Sequence, residues 1–374
     1  MKVSPLYLNS LYLNDFRNYK ELKIEFCRGT NLILGPNGEG KSNIIEAVYM
    51  LSTSKSFRNA QDQHITRWGQ KGYRVRGEFS SDDGTYEIGL EYTAGNKVLS
   101  VNGIHERKIS NIIGYVYCVL FIFDDIYLIN GPPLARRNYL DLILSTSNPL
   151  YFRSLKNYLT VVKHKNRYLK EAVEIDWNLI STWNEQLVES GSYLIHERRI
   201  IFEFINTYLE HTVGERNDLF FPFRLKYKSN AADEHGMRDR DEIKEGFSKK
   251  LRNGRSAEVR ARTALYGPHR DDFLFTDREF AVRHFGSVGE ARLSTILLKL
   301  AQNEFFKQQK NVVPILLIDD VLLELDMKNM EKVLSFLDAD SQKIITTTEK
   351  KKLPEIFSPD RVFVIGKNGK ISCS

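Results

Sequence analysis

The chain has 374 residues, 42% hydrophobic and 27% charged, with a formal net charge of +6, which suits a globular protein of two or three domains. Its three cysteines, Cys27, Cys118 and Cys373, are too few and too far apart for a disulfide framework or a zinc cluster. No cationic start leads into an apolar stretch with a cleavage site, and the longest apolar run, 112–123, is too short to span a bilayer. A cytoplasmic protein without a membrane partner is expected, and its charge permits a polyanionic partner without demanding one.

In chain order, residues 6–34 predict two strands, LYLNDFRNYKELKIEF and TNLILG, the second running into GPNGEGKS and then a helix, NIIEAVYMLS. Residues 72–108 alternate in polarity between Asp83-Gly84, Ala94-Gly95-Asn96 and Asn102-Gly103, the pattern of an antiparallel meander. The run 112–123 reads as a buried strand. From about 132 to 212 the pattern is helical; residues 228–262 are highly charged and read as exposed and partly mobile. Strand and helix signals alternate from there to the end. The outline is an α/β lobe built from both chain ends, 1–121 and 266–374, around a mainly helical insert at 122–265.

Gly35, Pro36, Asn37, Gly38, Glu39, Gly40, Lys41 and Ser42 fit G-x-x-x-x-G-K-[ST] between a strand and a helix. The glycines let backbone N–H groups turn toward phosphates, and the following helix N-terminus adds partial positive charge. Lys41 is expected to reach the β- and γ-phosphates of ATP, and the Ser42 hydroxyl to hold Mg²⁺, with Asn43 beside them. Such a loop needs a second carboxylate on a neighbouring strand. VVPILLIDD supplies Asp319 for the metal and Asp320, on the other side of the strand by alternation, to orient or activate the attacking water.

A further element stands before that strand. In GSVGEARLST, Ser287, Gly289 and Glu290 sit at the mouth of a helix, an anion-binding arrangement that by itself reads as a plain N-cap. Because the chain already has a phosphate loop at 35–42, a second phosphate-binding mouth makes sense if it closes over the nucleotide of another copy. With these three elements in register, the chain resembles the RecF family of ABC-type DNA repair ATPases, related to SMC heads. The matching segments include the start LYLNDFRNYKELKIEF, NIIEAVYMLSTSKSFRNAQDQHITRWG, NGPPLARRNYLDLIL, YGPHRDDFLF, GSVGEARLSTILLKLA, LLIDDVLLELD and IITTT.

The resemblance implies an ABC-type head, an ATP-dependent head-to-tail homodimer, and slow, DNA-stimulated hydrolysis that resets it. It also implies binding of double-stranded DNA near single-strand gaps, and RecR and RecO as partners in loading RecA during repair and replication restart. Two features depart from the family pattern. Glu290 and Ala291 stand where glutamine is usual, glutamate being the SMC-type residue, and FIFDDIYLI lacks the expected proline and glutamate.

Other residues carry a functional and a structural reading side by side: Arg17 and Asn18 near the first strand, Lys55 and Arg58 in SKSFR, and His269 and Arg270 in GPHRDD. Thr346–Thr348 end a strand where transporter ATPases place a histidine, so Thr347 and Thr348 are candidate γ-phosphate sensors. For DNA, the basic set Arg136, Arg137, Arg153, Lys156, Lys163, Lys165, Arg167 and Lys170 offers phosphate contacts without sequence readout. The alternatives are a transporter nucleotide-binding subunit, disfavoured by the lack of histidine after His284, and the ATPase of a nuclease system, disfavoured by the short stretch after Asp320.

Overall fold

The computed structural model describes residues 3–108, 112–214, 223–231, 239–277, 280–285, 287–349, 353–354, 357–366 and 369–373. The chain forms two units, Met1–Asp125 with Ile296–Ser374, and Ile126–Thr295.

The first unit opens with β1 (Ser4–Pro5), β2 (Tyr7–Phe16), β3 (Tyr19–Glu25) and β4 (Thr30–Leu34). The opening segment is therefore a hairpin where one strand was expected: β2 and β3 pair antiparallel, and the chain reverses at Asp15 and Arg17, both at positive φ (49° and 54°). Helix α1 (Lys41–Thr53) and a single turn, α2 (Asp62–Ile65), follow. Then comes the expected meander, β5 (Gly72–Ser81), β6 (Gly84–Thr93), β7 (Asn96–Val101) and β8 (Ile104–Glu106). Of the apolar run at 112–123, only β9 (Cys118–Phe121) is a strand.

The second unit comprises α3 (Tyr127–Asn130), α4 (Pro133–Ser147), α5 (Pro149–Glu171), α6 (Trp177–Gly214), β10 (Arg224–Lys228), α7 (Arg240–Ala261), β11 (Asp272–Asp277), β12 (Phe280–Ala281) and α8 (Val282–Phe285). Helix α9 (Val288–Lys310) leads the chain back to the first unit, which ends with β13 (Val312–Val313), β14 (Ile315–Asp319), α10 (Met327–Phe336), β15 (Lys343–Thr347), β16 (Arg361–Ile365) and β17 (Ile371–Cys373).

Two six-stranded sheets organise the first unit. One has the order β17-β16-β4-β15-β14-β9, parallel apart from β17; the other, β3-β2-β5-β6-β7-β8, is antiparallel. The interior strands β4, β14 and β15 carry Leu and Ile that are buried on both faces, as a covered parallel sheet requires. Helix α1 packs on β14, β15 and β9 and also on β5 and β6. That position explains why it is buried on nearly all sides, with Ile44, Ile45, Ala47, Val48 and Met50 out of water. Each large apolar side chain there contributes about 1.5–3 kcal/mol of burial. The helix lies so close to β5 that a Cβ on Gly77 would stand 2.6 Å from Leu51 Cδ1. The buried Gln342 amide accepts from Leu8 N (2.7 Å) and donates to Leu8 O (2.9 Å) and Cys27 O (2.7 Å), so no polar atom of it is wasted.

The second unit has a polar centre. Arg198 is buried and donates to Asp141 Oδ1 (2.8 Å), Asp271 Oδ2 (3.2 Å), Pro268 O (2.8 Å) and Tyr151 Oη (3.0 Å). Because Asp271 is anchored there and β11 pairs with β10, residues 266–295 belong to this unit, so the return boundary falls at 295/296, later than the expected 265/266. The charged stretch expected to be exposed and partly mobile is α7 over residues 240–261. Asp239 and Glu242 form a capping box, and Ile243, Phe247, Leu251 and Gly254 are buried along one side; residues 232–238 lie outside the described residues. Among the described residues no helix is long and apolar enough to cross a membrane.

Candidate functional site

The loop 35–40 leaves β4 and enters α1 through two glycines at positive φ, Gly38 (86°) and Gly40 (108°). At Gly40 a Cβ would also meet the Asn18 side chain at 2.6 Å, so both backbone shape and space require glycine. The amide of Asn18 donates to Glu39 O (3.0 Å) and accepts from Asn43 Nδ2 (2.9 Å), fastening the loop from outside. Its neighbour Arg17 grips the fully buried Glu46 of α1 with two bonds, 2.9 and 2.6 Å, and Arg58 donates to Asn43 Oδ1 at 3.0 Å. Arg17, Asn18 and Arg58 thus build the loop's support. Glu46, the carboxylate that Arg17 and Arg58 share, was invisible as a site residue, being one more helix-forming glutamate in sequence. Lys55 is exposed.

Three elements meet under the loop. Ser42 Oγ donates to Asp319 Oδ1 at 2.8 Å, and Thr346 Oγ1 donates to the same oxygen at 2.8 Å while accepting from Asp320 N at 3.0 Å. The β4-β15-β14 order makes this possible, because β15 lies between the loop strand and the Asp-Asp strand and brings Thr346 to the junction. Thr347, on the opposite face, is buried with its hydroxyl on Glu349 O (3.5 Å). The sensor expectation on Thr347 is therefore corrected: strand alternation turns it away and brings Thr346 to the site. Thr348 shares Thr346's parity and lies past the strand end.

Lys41 Nζ donates to Gly35 O (2.9 Å) and Pro36 O (3.2 Å) and lies 3.9 Å from Asp320 Oδ2. Asp320 was expected to face away from Asp319. Its φ of 53° breaks the strand's alternation, so that both carboxylates address the loop. Burial raises the Asp320 pKa above the ordinary carboxylate range; Lys41 opposes the shift and Asp319 adds to it. One oxygen, Asp320 Oδ1, is buried without a hydrogen-bond partner. An ammonium, a hydroxyl paired with a carboxylate, and a carboxylate oxygen in want of a donor are the set that a magnesium nucleoside triphosphate and a water would occupy. Asp125, in the segment lacking the usual proline and glutamate, instead faces Lys299 at 2.8 Å, and burial raises its pKa.

At the mouth of α9, Ser287 N donates to Glu290 Oε2 (2.7 Å) and Glu290 N to Ser287 Oγ (3.2 Å). This is a capping box, and it gives Glu290 a local structural task. Val288 and Gly289 stand exposed at the same mouth.

The basic set divides. Arg136 is 1% exposed and holds Asp272 with two bonds (2.7 and 3.0 Å), and Lys165 is 0% exposed with Glu258 at 2.6 Å and Asn184 at 2.7 Å. Neither can touch DNA. Arg137 is half-buried on Asp271 O (2.8 Å). Arg153, Lys156, Lys163, Arg167 and Lys170 remain exposed on α5, with Arg167 also paired to Glu171 (3.1 Å). His269 is bonded to Tyr158 (2.6 Å), and burial pushes its pKa down to about 4; Arg270 donates to Ala264 O (3.2 Å). Both are structural.

Residues 7–369 match the family model described as RecF/RecN/SMC N terminal domain. The chain is similar to the DNA replication and repair protein RecF of Halothermothrix orenii, 34% identical over 98% of this chain and 99% of the relative. It is 36% identical to that of Symbiobacterium thermophilum over 93% of each. Among solved structures, the recombination mediator protein RecF with ATP, in the RecFOR pathway, superposes with a TM-score of 0.90 at 30% identity, over 99% of this chain and 98% of that one. An Smc head bound to the C-winged helix domain of ScpA shares the fold alone, with a TM-score of 0.57 at 18% identity over 98% and 97%.

Proposed function

The chain belongs to the RecF/RecN/SMC N-terminal domain family and, within it, to the RecF DNA replication and repair proteins, and on that premise we propose that it is an ATP-switched clamp on DNA. The observation that carries this reading is the junction of Ser42, Asp319 and Thr346 beneath the phosphate loop, with Lys41 and Asp320 beside it. On binding, Lys41 leaves the Gly35 and Pro36 carbonyls for the β- and γ-phosphate oxygens. Ser42 and Asp319 are the residues that would hold Mg²⁺, which would neutralise charge developing on the phosphates. Asp320, ionised, orients the attacking water and takes its proton at Oδ1. Thr348 stays a candidate contact to the γ-phosphate.

The exposed α9 mouth supports a two-chain site. Ser287, Gly289 and Glu290 of one copy cover the nucleotide held by Lys41 of another, and hydrolysis separates them. On α5, Arg153, Lys156, Lys163, Arg167 and Lys170 lie three, seven, four and three residues apart, all on the exposed side. The row runs about 25 Å, enough to follow roughly seven base pairs of backbone. These residues, with Arg137 at the margin, are the duplex-binding row; partners RecR and RecO, and RecA loading at gaps, complete the reading as the family resemblance implies.

Light scattering at micromolar protein tests it. Wild type should double in mass with ATP and Mg²⁺, and Lys41→Arg should stay monomeric. Equal monomers in both samples would refute the two-chain site.

A further inference from the structure

Trp68 is 97% exposed, the most exposed large aromatic side chain among the described residues. It stands on a turn that is anything but loose. Gln70 N closes on Arg67 O at 3.0 Å, with Gly69 at φ 80° in the third position, as a type II turn demands. Arg67 is tied to Asp15 by its amide (2.8 Å) and its guanidinium (2.7 Å). Arg17, clamped on Glu46, holds the preceding residues through Ile65 O (2.7 Å) and His64 O (3.0 Å). The turn therefore presents a flat apolar ring at little further entropic cost.

The surroundings select the partner. From Lys55 to Arg76 the chain has six basic residues, Lys55, Arg58, Arg67, Lys71, Arg74 and Arg76, against the single acid Asp62, which is paired with Lys97 at 2.6 Å. Arg58, Arg67, Arg74 and Arg76 have carboxylate partners within the chain; Lys55 and Lys71 are exposed. In this segment no other large apolar side chain is exposed, whereas a protein hot spot needs a packed apolar surround that excludes water. A lone ring flanked by cations fits a nucleobase, which offers a π-face beside a phosphate. In a continuous duplex those faces are already stacked. Resting on the DNA-binding reading above, we propose that Trp68 stacks on an unpaired base of DNA, on the single-stranded side of a gap.

The test compares wild type, Trp68→Ala and Trp68→Phe on gapped and continuous duplexes of equal length, with ATP and Mg²⁺. Being wholly exposed, the position tolerates both changes, and ATP-driven dimerisation serves as the control. Trp68→Ala should weaken gapped-DNA binding roughly tenfold, with Trp68→Phe in between and continuous duplex unchanged. Gapped DNA should also quench a component of tryptophan fluorescence that Trp68→Ala lacks. Undiminished gapped-DNA binding, equal losses on both substrates, or loss of dimerisation would each overturn the assignment. If wild type itself binds neither DNA, the DNA-binding reading fails and this proposal with it; if wild type binds gapped DNA and Trp68→Ala binds as well, this proposal alone fails.

Discussion

The proposed hydrolysis needs Asp320 as a base, and the fold resists its charge. Burial raises its pKa, Lys41 pulls it back and Asp319 pushes it up again. Since the folded value exceeds the unfolded one, the proton binds the folded chain more tightly; that stabilisation is complete below the unfolded pKa and is lost as pH rises through the folded one. Asparagine removes the charge and tolerates the left-handed backbone at this position. Asp320→Asn should therefore melt higher than wild type at pH 7 to 8, with the gain gone below about pH 4, while phosphate release falls on the order of a hundredfold or more. Melting curves across pH and a phosphate-release assay read both effects. A variant that melts lower at neutral pH, or still hydrolyses, would contradict the assignment. The loop, Asp319 and Asp320 were legible because spacing alone nearly defines them. Thr346 was harder to single out from Thr347 and Thr348, because only strand parity against β14 separates them.

At the scale of one element, α5 has two sides that its composition conflates. Tyr151, Tyr158, Val162 and Leu169 form its buried stripe, and Lys165 falls within that stripe by helical spacing. The periodicity held the information, but counting positive charges hid it. The same holds for Arg136, in line with Tyr139, Leu140 and Ile143 on α4. For α7 the capping-box signature at Asp239 and Glu242 was present, masked by high charge. The two sides of α5 predict opposite phenotypes. Lys165→Met strands the Glu258 carboxylate, also held by Leu265 N (2.9 Å), and should cost about 3–5 kcal/mol of stability, read by urea unfolding. Lys156→Glu with Lys163→Glu should leave stability within about 1 kcal/mol, yet weaken duplex binding and flatten the plot of log affinity against log salt by about two. Unchanged salt dependence would remove α5 from the DNA-binding surface.

For the whole molecule, the question is whether a site completed by another copy behaves as one. A head-to-tail pair of identical heads contains two equivalent composite sites, each taking its loop from one chain and its helix mouth from the other. Lys41→Ala disables the loop, and Ser287→Arg blocks the mouth, where the serine hydroxyl accepts from Glu290 N in the capping box. Each variant alone has two defective sites per pair and should hydrolyse no ATP. When they are mixed, one site of each heterodimer collects both lesions and the other collects none. Equal mixing should then restore about a quarter of wild-type turnover, half the pairs being mixed and half their sites intact. Titrating one variant into the other at fixed total protein gives a maximum at equal amounts. A mixture as inactive as its components would mean that each chain completes its own site, and the α9 mouth would revert to a helix cap and nothing more.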